Sequence, residues 1–93
     1  MEVVYMRSFL NDIKKIKDRS TKERIKGLIT QIKEAENLED VQKVSKLKGY
    51  TIAYRARVGD YRLGMYREGV VVELARFVKR NDIYKVFPKK GKK

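Results

Sequence analysis

The sequence contains no cysteine and no histidine, and it has a single proline among 93 residues. Without cysteine, the chain forms no disulfide and offers no thiolate to a metal ion. Without histidine, it lacks the commonest zinc ligand and the side chain that most often acts as a general base near neutral pH. We therefore expect no metal and no small-molecule cofactor, so any catalysis relies on other side chains.

Long apolar runs are also missing, and no stretch approaches the length needed to cross a bilayer. The first six residues are too short and too polar at their flanks for a signal peptide, so we expect a cytoplasmic protein with no membrane partner. The length suits one small domain over residues 1–88, followed by a basic tail over residues 89–93 that we expect to be disordered. A domain of this size favours an open surface site over a deep pocket.

Positive charge is abundant and unevenly distributed. The chain has 24 lysines and arginines against 12 acidic residues, which gives a formal net charge of +12. Residues 1–48 hold 12 basic and 8 acidic side chains, whereas residues 49–93 hold 12 basic and 4 acidic ones. Such a field attracts polyanions, because a nucleic acid releases counterions when lysine and arginine neutralise its phosphates. The second half therefore carries most of the positive field.

The most informative segment is a β-hairpin predicted around Gly59-Asp60. Glycine in the first position of a two-residue loop favours a tight turn, which places Arg57 opposite Arg62 and Arg55 opposite Gly64. Like charges that face each other destabilise a sheet, so folding alone would not select this arrangement. We expect a phosphate between the guanidiniums, because it matches their forked donors, and we expect Gly64 to leave space beside Arg55. An ordinary solvated sheet face is the alternative.

Helical periodicity dominates the first part of the chain. A first amphipathic helix is predicted with Ser8 as its cap, and a second runs from a capping box at Ser20-Thr21-Lys22-Glu23 to about Ala35. Their apolar stripes comprise Phe9, Leu10, Ile13, Ile16, Ile25, Leu28, Ile29 and Ile32. Together they form a helical hairpin, and their basic residues alternate with acids, which is typical of a solvated face.

The remaining apolar patterns predict strands. Even-numbered residues over 50–58 are expected to face the core, and residues 70–78 form a nearly continuous apolar run that is typical of a central strand. A short strand is expected at residues 3–5, and a loose turn or short helix at residues 38–47. The pattern therefore places most of the sheet in the second half of the chain.

A closing segment follows the last long strand, in which Ile83 and Phe87 are expected to pack and Pro88 ends the segment. The order β-α-α-turn-β-β-β predicts an α+β fold, with an N-terminal helical hairpin packed on one face of a small antiparallel sheet. The other face is expected to be open and to collect the basic residues.

Two motifs give the chain a resemblance to a known family. The first is Tyr54-Arg55-Ala56-Arg57-Val58-Gly59-Asp60-Tyr61-Arg62, and the second is Lys79-Arg80-Asn81-Asp82-Ile83-Tyr84 after a Val-rich strand. With these motifs the chain resembles the RelE/ParE superfamily of toxins from type II toxin-antitoxin pairs. The resemblance implies a microRNase-like fold. In the RelE branch it also implies metal-independent cleavage of messenger RNA in the ribosomal A site, by attack of a ribose 2′-oxygen on the adjacent phosphate.

The resemblance further implies the catalytic residues. Arg62 corresponds to the arginine of the family's Tyr-Arg pair, and Arg55 to a strand lysine or arginine that approaches the phosphate. Arg80 corresponds to the arginine after the last long strand, and Tyr84 to the tyrosine that follows it. Preorganised cations would stabilise the negative charge that develops on the phosphate oxygens. Tyr84 either stacks on a base, relays a proton or packs under the closing segment.

Three more cations, Arg57, Lys79 and Lys85, are expected to bind RNA. Lys79 stands where many relatives carry histidine, so it either protonates the leaving 5′-oxygen or only binds phosphate. Ala53 stands where some members place another basic residue. These two departures bear on catalytic power rather than on the fold.

A toxin of this superfamily also implies partners. We expect an acidic antitoxin that wraps the basic surface with helices or adds a strand to a sheet edge, covering or displacing residues 80–87. The ribosome and messenger RNA are the expected partners of the RelE branch. Two other interpretations stay open, namely a ParE-like inhibitor of DNA gyrase without catalysis and an inactive RNA-binding relic.

Overall fold

The computed structural model describes residues 1–89 and shows a helical hairpin against a five-stranded sheet. In chain order the elements are β1 (Glu2–Tyr5), α1 (Arg7–Lys14), α2 (Arg19–Glu34), a 3-10 helix (Leu38–Asp40), β2 (Val44–Lys46), β3 (Ala53–Val58), β4 (Tyr61–Glu68), β5 (Val71–Lys79) and α3 (Ile83–Val86). The strand order across the sheet is β1-β5-β4-β3-β2. The predicted α+β class, with its N-terminal helical hairpin, is confirmed.

The sheet is antiparallel apart from its first strand. β1 pairs in parallel with β5, so that Glu2 lies beside Val71 and Tyr5 beside Leu74. Parallel pairing needs a long connection, which the helices and the intervening strands provide. The sheet is therefore mixed, and the direction of β1 is the one departure from the antiparallel arrangement predicted for it.

The β3–β4 hairpin has the predicted register. Arg57 lies opposite Arg62, Arg55 lies opposite Gly64, and Gly59 has the positive φ of 57° that this tight turn requires. The side of β3 that is buried in the main core comprises Tyr54, Ala56 and Val58. Because strand side chains alternate, the arginines lie on the opposite face of the sheet from the helical hairpin.

α1 begins one residue before the predicted cap. Met6 is the residue that precedes the helix, and Ser8 lies inside the first turn. The Ser8 hydroxyl donates instead to the Ala75 carbonyl at 2.6 Å, which ties α1 to β5. The predicted capping role of Ser8 is therefore wrong, because a tertiary acceptor takes its hydroxyl.

α2 begins after Asp18 and not at the predicted capping box. The Asp18 carboxylate accepts a hydrogen bond from the Thr21 N–H at 3.2 Å and from the Thr21 hydroxyl at 2.6 Å. The bond from the hydroxyl is the main cause of a lowered pKa at Asp18. The box at Ser20 is wrong because a stronger acidic cap two residues earlier starts the helix first.

The loose segment at residues 38–47 contains a 3-10 helix and the unpredicted edge strand β2. Leu38 is fully buried in the main core. The neighbouring Glu39 accepts a hydrogen bond from the Tyr54 hydroxyl at 2.8 Å and pairs with Arg67 at 2.6 Å. These contacts fix the segment against β3 and β4.

The second sheet face is partly covered by α3, so the expectation that it is open is wrong there. A small apolar cluster on this face comprises Ala53, Tyr66, Ala75, Ile83 and Phe87. Ile83 and Phe87 pack as predicted. Phe87 takes the space that was expected beside Arg55, since a Cβ on Gly64 would lie 2.6 Å from the Phe87 ring.

Within residues 1–89, no helix is both long and apolar enough to cross a membrane. Of the basic tail predicted at residues 89–93, the described part of the chain includes only Lys89, whose N–H donates to the Tyr66 hydroxyl at 2.9 Å. The prediction of disorder for residues 90–93 lies outside the described residues.

Candidate nucleic-acid site

Three chain segments meet at the turn of the β3–β4 hairpin. Arg57 and Arg62 face each other across the hairpin. The Arg62 guanidinium folds back along the turn, and its Nη1 donates to the Gly59 carbonyl at 2.9 Å. The chain after β5 is fastened to the same turn by a hydrogen bond of 2.8 Å from the Arg80 N–H to the Asp60 carbonyl. Arg80 is thereby held beside the hairpin arginines.

A pocket of about 330 Å³, which we call the arginine pocket, opens beside this turn. Its lining residues are Arg24, Lys43, Arg57, Gly59, Arg62 and Arg80. Five of these six residues are cationic and none is acidic. The sequence-predicted residues Arg57, Arg62 and Arg80 are therefore brought together on a surface that has no carboxylate in its lining to neutralise them.

Burial and the neighbouring positive charges both lower the pKa of the Arg62 guanidinium. Burial is the main cause that lowers the pKa of its guanidinium. The positive charges of Arg55, Arg57 and Arg80 lower the pKa further, while Tyr84 acts in the opposite direction. A bound anion would relieve this repulsion, so the site is prepared for negative charge before any ligand arrives.

Arg55 lies one step further along the hairpin and is half-buried. Its Nε is buried and has no hydrogen-bond partner within the described residues. A buried donor without a partner is uncommon in folded proteins, because leaving it unpaired costs free energy. Arg55 does not line the arginine pocket, although its charge acts on Arg62, and its buried Nε would meet an anion only after the side chain moves.

Tyr84 occupies the rim of a different depression. Its side chain is 59% exposed, so the alternative in which it packs under the closing segment is wrong. It lines a pocket of about 410 Å³, together with Leu47, Lys48, Tyr50, Phe87 and Pro88. The phenol is close enough to act on the charge of Arg62, and its ring is free to contact a base.

The two remaining predicted cations, Lys79 and Lys85, do not line the arginine pocket. Lys79 is exposed at the end of β5 and pairs with Tyr61, which packs against the main core. Because strand side chains alternate, the Lys79 side chain lies on the opposite face of the sheet from Arg62. Lys85 is exposed on α3, where its Nζ lies 3.3 Å from an Asp82 carboxylate oxygen.

Comparison with known proteins identifies the family. The chain is 35% identical to Toxin RelE3 of Methanocaldococcus jannaschii over 89 residues, which make up 95% of this chain and 100% of that protein. The chain belongs to the RelE family of toxins. The RelE/ParE resemblance predicted from the two motifs is thereby confirmed, although the chain matches no family model.

Solved structures agree with the RelE fold. The chain is similar to one from the RelB-RelE antitoxin-toxin complex of Methanococcus jannaschii, with a TM-score of 0.77, 30% identity, and coverage of 91% of this chain and 99% of that one. It also matches the fold of YafQ from E. coli strain BL21(DE3), with a TM-score of 0.68 and 21% identity over 94% of this chain and 98% of that one. Both similarities extend over nearly the whole chain.

Sequence reasoning missed two cations of this RelE chain, Arg24 and Lys43. Both line the arginine pocket and also an adjoining pocket of about 420 Å³. Arg24 stands among the alternating charges of α2, where nothing in the local pattern separates it from a solvated residue. Only the contact of α2 with the hairpin turn at Gly59, a tertiary feature, brings it to the site.

Another surface of this RelE chain is apolar. A groove of about 430 Å³, which we call the helical groove, runs along α1 and α2, with Lys22, Lys26 and Lys33 on its rim. Its apolar lining comprises Tyr5, Phe9, Leu10, Ile13, Ile25 and Ile29. Tyr5 and Leu10 are exposed to 40% and 46%, so the groove presents accessible apolar surface next to positive charge.

Proposed function

We propose that this RelE chain is the toxin of a type II toxin-antitoxin pair and a ribosome-dependent endoribonuclease that cleaves messenger RNA in the A site. The observation that carries the proposal is the convergence of Arg57, Arg62 and Arg80 on one pocket without a lining carboxylate. Guanidiniums donate forked hydrogen bonds that match phosphate oxygens. An RNA phosphodiester is therefore the anion that suits this open site best.

The proposed reaction transfers one phosphate between ribose oxygens. The 2′-oxygen attacks the adjacent phosphorus, the bond from phosphorus to the 5′-oxygen breaks, and a 2′,3′-cyclic phosphate remains on the upstream fragment. The 2′-hydroxyl loses a proton and the leaving 5′-oxygen gains one, so no net proton is consumed. Negative charge builds up on the non-bridging oxygens, where fixed cations lower the barrier.

Each predicted residue takes a role in this proposal. Arg55, Arg62 and Arg80 hold the non-bridging oxygens of the phosphate that reacts. Arg57 and Lys85 bind the RNA backbone on either side, whereas Lys79, on the opposite face of the sheet, contacts RNA only where the strand passes around the end of β5. Tyr84, at the rim, stacks on a base or relays a proton, and the variant Tyr84→Phe separates these roles because it keeps the ring and removes the hydroxyl.

The test uses purified ribosomes with a programmed A-site codon, and cleavage is read by primer extension. We expect Arg62→Ala and Arg80→Ala each to slow cleavage by about 100-fold, the typical effect of removing one donor to a developing oxyanion. Arg19→Ala is the matched control, because Arg19 is exposed on α2 and lines neither the arginine pocket nor the adjoining pocket of about 420 Å³. Circular dichroism checks that each variant folds.

Three outcomes would overturn the proposal. If both arginine variants cleave like wild type, the pocket is not the active site. If wild type cleaves nothing, while growth arrest survives both substitutions and a DNA-damage response appears, the ParE-like inhibition of gyrase replaces it. Wild-type protein that neither cleaves nor slows growth would favour the inactive relic.

We propose in addition that an acidic antitoxin neutralises this chain. The matched chain of Methanococcus jannaschii comes from an antitoxin-toxin complex, and the net charge of +12 favours an acidic partner. The partner covers or displaces residues 80–87. Hydrogen exchange on the co-expressed pair tests this, because backbone amides of α3 should change their protection on binding, and unchanged α3 amides would contradict it.

A further inference from the structure

We propose that Arg24, Lys43 and Arg57 form a second phosphodiester site, which holds the RNA backbone at a linkage next to the one that reacts. The inference rests on the proposed function, because it extends the path of the RNA away from the arginine pocket. Its ligand is defined by chemistry as a phosphodiester of a polynucleotide. Two sources supply that chemistry, the message and the ribosomal RNA.

The space for this ligand is a pocket of about 420 Å³, which we call the Arg24 pocket. One wall is α2, another is the chain before β2, and the third is the hairpin turn. Arg24, Lys43, Arg57 and Gly59 line both this pocket and the arginine pocket. The two pockets are therefore contiguous, and one strand can pass from one to the other.

The Arg24 guanidinium lies directly against the glycine of the hairpin turn. A Cβ on Gly59 would lie 2.8 Å from the Arg24 Nη1, closer than real Cβ contacts allow. The φ of 57° is what requires glycine in this tight turn, and the end of the flexible Arg24 side chain lies against it. The Arg24 guanidinium takes part in none of the ion pairs of the described residues, and its charge makes only a minor contribution to the lowered pKa of Asp18.

Lys43 is held in an unusual backbone conformation. Its φ of 69° lies in the left-handed region, which a lysine rarely adopts. Its carbonyl accepts a hydrogen bond from the Arg57 N–H at 3.1 Å, so the strained residue is attached directly to the hairpin. Local strain of this kind persists where the surrounding structure imposes it, often at binding sites. Here it presents a cation to the pocket that Arg57 shares.

The lining also indicates which part of a nucleotide fits. No acidic residue lines the Arg24 pocket, and no aromatic ring is available there for a base to stack on. Gln31 and Gln42 add neutral amide donors. Backbone phosphate is therefore the matching ligand, whereas base stacking belongs to the Tyr84 side of the site.

The test compares Arg24→Gln with its matched control Arg19→Gln, which removes an exposed arginine from the same helix. The probe is a fluorescein-labelled single-stranded RNA octamer with methylated 2′-hydroxyls, so binding is measured by anisotropy without cleavage. We expect Arg24→Gln to weaken binding about tenfold at low salt. The slope of log K against log salt should fall by about 0.7, the contribution of one contact to a single strand.

A second variant and a second arm keep the result interpretable. Lys43→Asn removes the charge but suits the left-handed conformation, so it should weaken binding without lowering the unfolding midpoint. The second arm measures binding to ribosomes whose A site holds no message. A loss confined to the octamer arm identifies the message as the source of the phosphate, a loss confined to the ribosome arm identifies ribosomal RNA, and a loss in both arms shows that the site takes either.

The inference is overturned if Arg24→Gln matches Arg19→Gln in both arms. This failure is distinguishable from failure of the proposed function, because no arm requires cleavage. A wild-type protein that binds RNA through Arg24 but never cleaves would overturn the proposed reaction alone.

Discussion

Asp12 links α1 to β5 from a nearly buried position. Its carboxylate, 5% exposed, accepts Arg76 Nε at 2.7 Å, Arg76 Nη2 at 3.0 Å and the Phe77 N–H at 2.9 Å. The bond to Asp12 also raises the pKa of the Arg76 guanidinium. All three bonds need an acceptor oxygen at residue 12, and asparagine would replace one of the two acceptor oxygens by a donor.

We expect Asp12→Asn to reduce the free energy of unfolding by about 3 kcal/mol, because it leaves the Arg76 charge unpaired at a partly buried site and turns an amide donor toward other donors. Urea denaturation followed by circular dichroism measures the loss. Asp40→Asn is the control, since Asp40 is exposed and lies in none of the ion pairs found in the described residues. Equal stability of the two variants would refute this role for Asp12.

Tyr54 and Glu39 form a pair that responds to pH. The hydrogen bond from Tyr54 is the main cause that holds the pKa of Glu39 below its ordinary value of 4.5. Burial is the main cause that raises the pKa of Tyr54 above its ordinary value of 10.0. A lowered carboxyl pKa stabilises the fold above pH 4.5, and this contribution is lost as the pH falls through the folded pKa. The phenol contribution is lost as the pH rises through its own folded pKa.

The pair predicts a plateau in the effect of Tyr54→Phe. Between pH 4.5 and 10.0 the variant should unfold with a free energy lower by about 1 kcal/mol, the value of one hydrogen bond. Below pH 4.5 the difference from wild type should shrink, because the protonated Glu39 accepts more weakly. Urea denaturation over a pH series measures it, with the exposed Tyr50→Phe as control. A difference that persists unchanged into acid would contradict the assignment.

At the scale of elements, α3 is attached to the middle of the sheet through the contact of Phe87 with Gly64. A Cβ at Gly64 would lie 2.6 to 2.8 Å from three atoms of the Phe87 ring. We expect Gly64→Ala to destabilise the protein by about 1–3 kcal/mol, as overpacking does, and to slow RNA cleavage because Tyr84 moves with α3. Thermal unfolding and the ribosome assay measure the two effects.

The matched control for this substitution is Gly27→Ala on α2. A Cβ at Gly27 meets no atom within 4 Å, and its helical backbone suits alanine. We expect Gly27→Ala to stabilise the protein by about 1 kcal/mol, because alanine is the better helix former. If both alanine variants unfolded at the wild-type temperature, the Phe87 contact would not hold α3.

The elements also show what a sequence can predict. The register of the β3–β4 hairpin follows from local chemistry, because Gly59 fixes the turn and period-two alternation fixes the buried face. The sequence indicates open space beside Gly64, but the Phe87 ring fills it. Phe87 lies 23 positions further along the chain, so the local sequence gives no sign of this contact. The cap of α2 was misplaced because Asp18 and Ser20 compete within one turn. Arg24 and Lys43 were missed because only tertiary packing joins them.

At the scale of the whole molecule, the net charge of +12 couples stability and binding to salt in opposite directions. Raising salt from about 50 to about 200 mM should raise the unfolding temperature, because ions screen the repulsion within the arginine pocket. RNA affinity should fall over the same range, by roughly 20-fold for three phosphate contacts. Differential scanning fluorimetry and anisotropy measure the two responses. An unfolding temperature that falls with added salt would contradict the repulsion.

α2 separates the Arg24 pocket from the helical groove. Arg24 faces the pocket, whereas Ile25 and Ile29 line the groove on the other flank of the same 16-residue helix. Occupancy of one flank therefore does not block the other. An inhibitor bound only in the helical groove would leave the proposed RNA site open, so an inhibitor that blocks both surfaces needs a second contact on the opposite flank of α2.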